Sequence, residues 1–466
     1  MQLFKQSSIL FLIWCISCSP PKAIFDNSGS FTLKKNINEL VSSYGLNVNI
    51  GIKILSLTTG ETLYSLNSRK LLMPASNNKL YTCAAALEKL GSDYRFKTFV
   101  LRDGNNLILR GGGDPDLTID QLDSLAKITA KKINLIDTLF VDESLLDSLH
   151  YGQGWMWDEG AWWYAAPISA MSLNDNCIDF YVGPGELGQP AGVEIAPETE
   201  YVHLINQSTT TNDTIDFNKF RIDRDWVGRT NFFIISGEVL NTASTDTFQR
   251  NIFDPVLFSG TVFKEQLKNY GVDVNYIAAG TGIADASPIA IHTSDSLLYS
   301  AHNLMQESDN LTAELFTKTM AISDTTPGNW EDGLNTIKTF LMDSVGIDTS
   351  LLRLADGSGV SRYNLSSADQ FVKLLSHMYH SNKKDEFIYT LPSGGSKGTL
   401  KDRLEFYDSK IRAKTGHLSG ASCLSGYIFS DKYGDLAFSI LMNGYTGKAK
   451  PYQRLQDKII NLFLHE

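Results

Sequence analysis

"PASNNKLYTCAAALEKLG", residues 74–91, is the stretch that decides the fold: a small polar turn runs straight into an apolar helix. Leu80, Ala84, Leu87 and Leu90 recur at helical spacing, and Gly91 supplies the stop. Just upstream, "NVNIGIKILSL" (47–57), "TTGE" (58–61) and "TLYSLN" (62–67) alternate apolar and polar residues around a glycine turn, which predicts a β-hairpin. At the far end of the chain, "SCLSGYIFS" (422–430) and "LAFSILMNG" (436–444) read as strands. The hairpin is expected to pair with them in one central antiparallel sheet flanked by helices. The fold class is therefore α/β, in the α+β sense.

Between these ends the texture changes. From Phe96 to Ala290 short strand-like runs such as "NLILRGGG" (106–113), "TLFVD" (138–142) and "NFFIISGEV" (231–239) alternate with polar turns. From His292 helical patterns return in "SDSLLYSAHNLMQE" (294–307), "NLTAELFTKTMA" (310–321) and "LNTIKTFLMDSVG" (334–346), and "PYQRLQDKIINLFLHE" (451–466) makes a last helix. A strand-rich block between two mixed halves predicts an insertion into one domain. The expected division is a leader at 1–18, a first part at 19–97, inserted strand-rich domains at 98–290 and a second part at 291–466. A chain of 466 residues is too long for one ordinary core, in keeping with that division.

Composition excludes some functions. Lys and Arg number 41 against 52 Asp and Glu, for a net charge of −11. A general nucleic-acid binder needs a basic face, so that class is set aside. No zinc-type spacing of Cys and His is present. The first residues, "MQLFKQSSILFLIWCISCSPPK" (1–22), carry Lys5, an apolar run from Ile9 to Ile16 and then small residues. The run is too short to span a bilayer and predicts a secretory signal peptide. "CISC" resembles a bacterial lipoprotein signal with Cys18 as the lipidated residue; ordinary cleavage without lipid is the alternative. Cys83, Cys177 and Cys423 then remain, allowing at most one disulfide, and Cys83 and Cys423 read as packed thiols.

The chemistry is carried by three short motifs. Ser76 and Lys79 form S-x-x-K at a helix mouth, three positions apart and so on one side. A serine hydroxyl needs a base, and a lysine neutralised by burial can be that base. Helix-start N–H groups can receive an oxyanion. Alone the pair reads equally as a helix-capping serine and a lysine reaching for solvent, and Ser19–Lys22 and Ser381–Lys384 match the same spacing. "ESDNLTAEL" (307–315) adds Ser308 and Asn310 between helical segments, and "IRAKTGHLSG" (411–420) holds the only K-T-G, at Lys414, Thr415 and Gly416. The three motifs in this order form a signature shared by class A β-lactamases and penicillin-binding proteins. Acyl transfer then assigns Ser76 as nucleophile and Lys79 as base. Ser308 passes a proton to the leaving amine, and Asn310 holds Lys79 and binds the substrate amide. Lys414 supplies positive charge that helps keep Lys79 neutral and attracts an anionic substrate. Thr415 would hold a terminal carboxylate, Gly416 would let substrate backbone lie along the strand edge, and the N–H groups of Ser76 and His417 would form the oxyanion hole.

With these motifs the chain resembles the D-alanyl-D-alanine carboxypeptidase/endopeptidase family, the class C low-molecular-mass penicillin-binding proteins of the penicillin-binding protein 4 type. The resemblance extends through "DGSGVSRYNLSS" (356–367), "GGSKGTLKDRL" (394–404), "GGGDPDL" (111–117), "VDESLLDS" (141–148), "GWMWDEG" (154–160) and "ISAMSLNDN" (168–176). It implies a transpeptidase-like domain interrupted by two small strand-rich domains. It also implies hydrolysis of peptidoglycan stem peptides and crosslinks, acylation by β-lactams, and no metal or organic cofactor. Asp158 and Trp155 fall where the family grips the free end of the substrate's diamino-acid side chain. Trp155, Trp157, Trp162 and Trp163 either pack between domains or line a groove. "RGGGDP" (110–115) lacks the Lys-Ser/Thr of a phosphate loop and reads as a tight turn. Arg412 shares the face of Lys414 and either meets a substrate carboxylate or pairs with a neighbouring acid. Two other functions remain open at this stage: a β-lactamase or esterase on the same fold, and a protein that binds muropeptides without turnover.

Overall fold

The computed structural model describes residues 31–215, 218–281, 286–407 and 409–464. The expected leader and Cys18 lie outside the described residues. Helix α1 (Phe31–Ser43) precedes the hairpin of β1 (Asn49–Ser56) and β2 (Thr62–Leu66), then a 3-10 turn (Ala75–Asn78) and α2 (Lys79–Lys89). Next come β3 (Lys97–Asp103), β4 (Asn106–Arg110), α3 (Ile119–Ala130) and β5 (Leu135–Asp142). Eight short strands follow: β6 (Cys177–Gly183), β7 (Gly192–Ala196), β8 (His203–Asn206), β9 (Thr209–Thr211), β10 (Arg221–Arg224), β11 (Phe232–Ser236), β12 (Glu238–Leu240) and β13 (Asp246–Asn251). Helix α4 (Pro255–Asn269), β14 (Asp273–Ala279) and β15 (Ser287–Thr293) complete the middle of the chain. Five helices, α5 (Leu297–Glu307), α6 (Asn310–Thr319), α7 (Trp330–Asp343), α8 (Ala368–His380) and α9 (Lys384–Thr390), lead to β16 (Ile411–Leu418), β17 (Ala421–Ser430), β18 (Gly434–Asn443) and α10 (Lys450–Asn461).

The expected antiparallel sheet is present, in the order β16-β17-β18-β1-β2. The hairpin joins the C-terminal strands through β1 and β18, with Ile52 opposite Ile440 and Ile54 opposite Phe438. The alternation of β18 shows why both faces are covered. Leu436, Phe438, Ile440 and Met442 enter one core with Leu33 and Ile37 of α1 and Leu455 and Ile459 of α10. Ala437 and Leu441 enter the other with Leu80, Leu87 and Phe371 of α2 and α8. The helix that opened the sequence reading is thus packed against the middle of the sheet.

A second five-stranded sheet, β14-β5-β4-β3-β15, lies in the middle of the chain. The β4–β5 and β5–β14 pairs are parallel, the β3–β4 and β3–β15 pairs antiparallel. Its first and last strands along the chain, β3 and β15, are antiparallel neighbours, with Thr98 opposite His292. The chain therefore leaves for this sheet and returns from it at one place. The strand-like texture concealed α3 and α4. α4 contains Val256, Phe258, Thr261, Val262 and Phe263, a β-favouring run, yet Asp254 caps it by accepting from Leu257 N at 3.0 Å and Pro255 opens it. A Cβ on Gly260 would lie 2.7 Å from Val141 Cγ2, so the glycine lets this helix lie close on β5. Cys83, Cys177 and Cys423 are buried free thiols.

Candidate active site

Ser76 sits in the 3-10 turn ahead of α2 and is half-buried. Neither the turn nor α2 is capped by a side chain, so the helix-capping reading of Ser76 does not hold. Ala75, immediately before it, has φ +48, a costly conformation for an alanine. Gly359 shows what surrounds that residue: a Cβ there would lie 2.0 Å from the Ala75 carbonyl oxygen.

Lys79, at the first turn of α2, is fully buried, which removes the reading of an amine reaching for solvent. Its Nζ has three oxygen neighbours: Ser76 Oγ at 3.1 Å, Asn310 Oδ1 at 2.6 Å and Ser358 O at 2.8 Å. Asn310 Nδ2 donates to Tyr164 O at 2.7 Å, which turns its oxygen towards the lysine. The amide oxygen and the carbonyl can only accept. A neutral amine has two N–H bonds and one lone pair. With both N–H bonds spent on these acceptors, the lone pair faces Ser76 Oγ. Burial lowers the Lys79 pKa to about 8, against the opposing charges of Asp309, Glu314 and Asp356. Burial is the largest cause of that lowering.

Ser308 terminates α5 with φ +63 and presents Oγ to Lys414 Nζ at 2.9 Å. Lys414 is fully buried on β16 and also donates to Thr415 O at 3.0 Å. Burial pushes its pKa well down, and the neighbouring Lys79 charge pushes the same way. Ser308 thus bonds Lys414; no bond from it to Lys79 is present among the described contacts. Asp309 caps α6, accepting from Leu311 N and Thr312 N at 3.1 and 2.7 Å, and so fixes the helix whose first residue is Asn310.

Strand β16 is the outer strand of its sheet. Lys410 O accepts from Phe429 N of β17, while Ala413 N donates to Pro392 O on the other side. Main-chain groups alternate along a strand, so Thr415 and His417 direct theirs to the open side. The N–H of His417 is therefore available at the strand edge, and its side chain is exposed. Gly416 has a packing reason of its own. A Cβ there would meet Pro74 O at 2.6 Å and Asn77 Oδ1 at 2.9 Å, so the glycine lets β16 close on the Ser76 turn.

Trp155 reaches this group indirectly. Its indole N–H donates to Asp356 Oδ2 at 3.0 Å, and Asp356 also accepts from Gly359 N, Ser361 N and Asn364 Nδ2. Asp158 lies exposed on the same loop, with no bond to the Ser76 group among the described contacts.

Two acids hold the site together: Asp356, which the sequence offers with Ser358 and Arg362 as part of the site wall without a chemical role, and Glu314, which the sequence does not single out. Asp356 organises its own loop. Glu314, fully buried one turn beyond Asn310, accepts from Gly357 N, Ser358 N and Trp330 Nε1 at 2.8, 2.8 and 2.7 Å. Burial and the adjacent Asp356 raise its pKa. It fixes the two peptide N–H groups ahead of the Ser358 carbonyl that faces Lys79, while Asp356 holds the Gly359 N–H of that carbonyl's own peptide. A lone acid in the apolar run "NLTAELF" was the available signal.

Residues 33–462 match the D-Ala-D-Ala carboxypeptidase 3 (S13) family. A D-alanyl-D-alanine carboxypeptidase of Actinomadura sp. (strain R39) is 33% identical, the alignment covering 92% of this chain and 84% of that protein. The crystal structure of penicillin binding protein 4 from Haemophilus influenzae shares the fold, with TM-score 0.80 at 22% identity over 92% of this chain and 100% of that one. The same Haemophilus protein in complex with a β-lactam aligns with TM-score 0.74 and 21% identity over the same shares of the two chains.

Proposed function

The chain belongs to the D-Ala-D-Ala carboxypeptidase 3 (S13) family, and from that premise we propose how its residues carry out a serine-type D-Ala-D-Ala carboxypeptidase reaction on peptidoglycan. The observation that carries the reading is the three-oxygen setting of Lys79. With its lone pair facing Ser76, the neutral amine takes the hydroxyl proton as Oγ attacks the penultimate D-alanyl carbonyl. The oxyanion is received by the N–H groups of Ser76 and His417. The C–N bond then breaks as Ser308 hands its proton to the departing D-alanine nitrogen and takes one back from Lys414, whose Nζ donates to it; the proton that Lys79 accepted from Ser76 makes good the loss at Lys414, so both amines end as they began. Lys414 and Thr415 hold the terminal carboxylate. Asn310 keeps the base oriented and Gly416 keeps the strand against the nucleophile. Water then adds to the acyl carbonyl and gives a proton to neutral Lys79, which returns it to Ser76 Oγ as the ester C–O bond breaks and the shortened peptide leaves as its carboxylic acid. In a crosslink the same steps cut the D-alanyl bond to a diamino acid, whose free end Trp155 and Asp158 would hold. β-Lactams acylate the same serine.

Two extensions concern placement. The strand-rich region of residues 98–290 forms inserted domains; the antiparallel β3 and β15 at its ends support this. The leader exports the chain to the cell envelope, with a lipid on Cys18. No helix among the described residues is long and apolar enough to cross a membrane.

The experiment is D-alanine release from an acyl-L-Lys-D-Ala-D-Ala peptide. The native protein releases it; Ser76→Ala and Lys79→Gln do not. Release by both variants at the native rate would overturn the assignment.

A further inference from the structure

The loop of residues 154–164 rims the site. A Cβ on Gly154 would meet Ser361 Oγ and the Tyr363 ring at 2.6 Å, Trp155 bonds Asp356, and Tyr164 O accepts from Asn310. Between these anchors the loop presents Trp157, 79% exposed, to solvent. Its ring stands 5.2 Å from that of Trp226, tilted by 46°. Trp226 belongs to the β10–β11 turn, which is internally fixed: Asp225 N donates to Phe232 O, Arg229 N to Trp226 O and Gly228 N to Asp225 Oδ1. The Trp226 ring also packs over Gly160, where a Cβ would be 3.5 Å away. Trp162, 48% exposed, adds a third ring to the same loop, held under the Arg250 guanidinium at 4.4 Å.

An indole left open to water beside a second, backed indole, on a loop anchored at a cleft, is an unsatisfied apolar surface of fixed shape. Indole faces carry negative potential, and the axial C–H bonds of a pyranose carry the complementary positive edge. Peptidoglycan stem peptides hang from an N-acetylated sugar chain a few residues from the scissile bond, so sugar rings come within reach of the rim of the site that holds the peptide.

We propose that Trp157 and Trp226 form a stacking platform for the N-acetylated sugar chain to which the scissile peptide is attached. This rests on the peptidoglycan reading of the site. Neutral sugar is favoured over an anionic lipid surface because the chain carries a net charge of −11.

The test compares D-alanine release from a free stem pentapeptide with release from the same peptide on intact glycan strands. For Trp157→Ala and Trp226→Ala, kcat/KM falls about tenfold on the glycan-borne substrate and is unchanged on the free peptide. Equal losses on both, or none on either, would overturn the platform. A second readout needs no turnover. Tryptophan emission of the Ser76→Ala protein shifts on titration with an N-acetylglucosamine tetramer, and Trp157→Ala abolishes the shift. An emission shift with phosphatidylglycerol vesicles and none with the sugar would also overturn it. If the native protein released D-alanine from neither substrate, the peptidase reading would fail while this titration still decided the platform.

Discussion

At the scale of single residues the account stands on Lys79. Its amine must be neutral to accept the Ser76 proton, and burial brings its pKa to about 8. Acylation by benzylpenicillin should therefore rise with pH through about 8 and fall about tenfold per unit below it. A stopped-flow pH profile checks this, and a rate flat from pH 9 to pH 6 would remove lysine from the role. Ser76→Ala should lower turnover on the order of 10⁴-fold or more, measured as D-alanine release. The pairing of the two was legible in the sequence because they stand only three residues apart, in the 3-10 turn and at the first turn of the helix that follows it. Their partners Glu314 and Ser358 were harder to read. They reach the lysine through buried main-chain groups from distant segments, which leave no local spacing.

At the scale of elements, the nucleophile turn, the mouth of α6 and strand β16 must hold one another in place. Asp309 caps α6 and its charge raises the Lys79 pKa. Asparagine keeps the cap while removing the charge. Asp309→Asn should move the midpoint of the acylation profile to lower pH, and an upward move in the same titration would contradict the electrostatic account. Gly416 is the second contact. Alanine there meets Pro74 O at 2.6 Å, so Gly416→Ala should push β16 from the Ser76 turn and slow acylation about 100-fold. Quenched-flow acylation measures the effect. The K-T-G motif announced the strand, but the sequence could not say that its glycine faces the turn. That contact pairs residues more than 300 positions apart.

At the scale of the whole molecule, the central sheet was legible from its two ends, because each strand alternates and both faces are covered. The middle of the chain was less so. α4 is written in β-branched and aromatic residues, and its helical state comes from its cap and from packing on β5. The two regions are joined by Lys318 of α6. It is fully buried, donates to Asp147 Oδ1 at 2.5 Å and Leu149 O at 2.6 Å, and lies 3.9 Å over the Trp330 ring. Lys318→Ala should destabilise the protein by about 2 kcal/mol in urea unfolding, since it empties a buried side chain's place over Trp330 and leaves the partly exposed Asp147 carboxylate unpaired. The central claim, that Ser76 is the nucleophile of this cleft, is tested most directly by intact mass after incubation with benzylpenicillin. The account predicts one covalent adduct on the native protein and none on Ser76→Ala. An adduct of equal yield on the variant would contradict it.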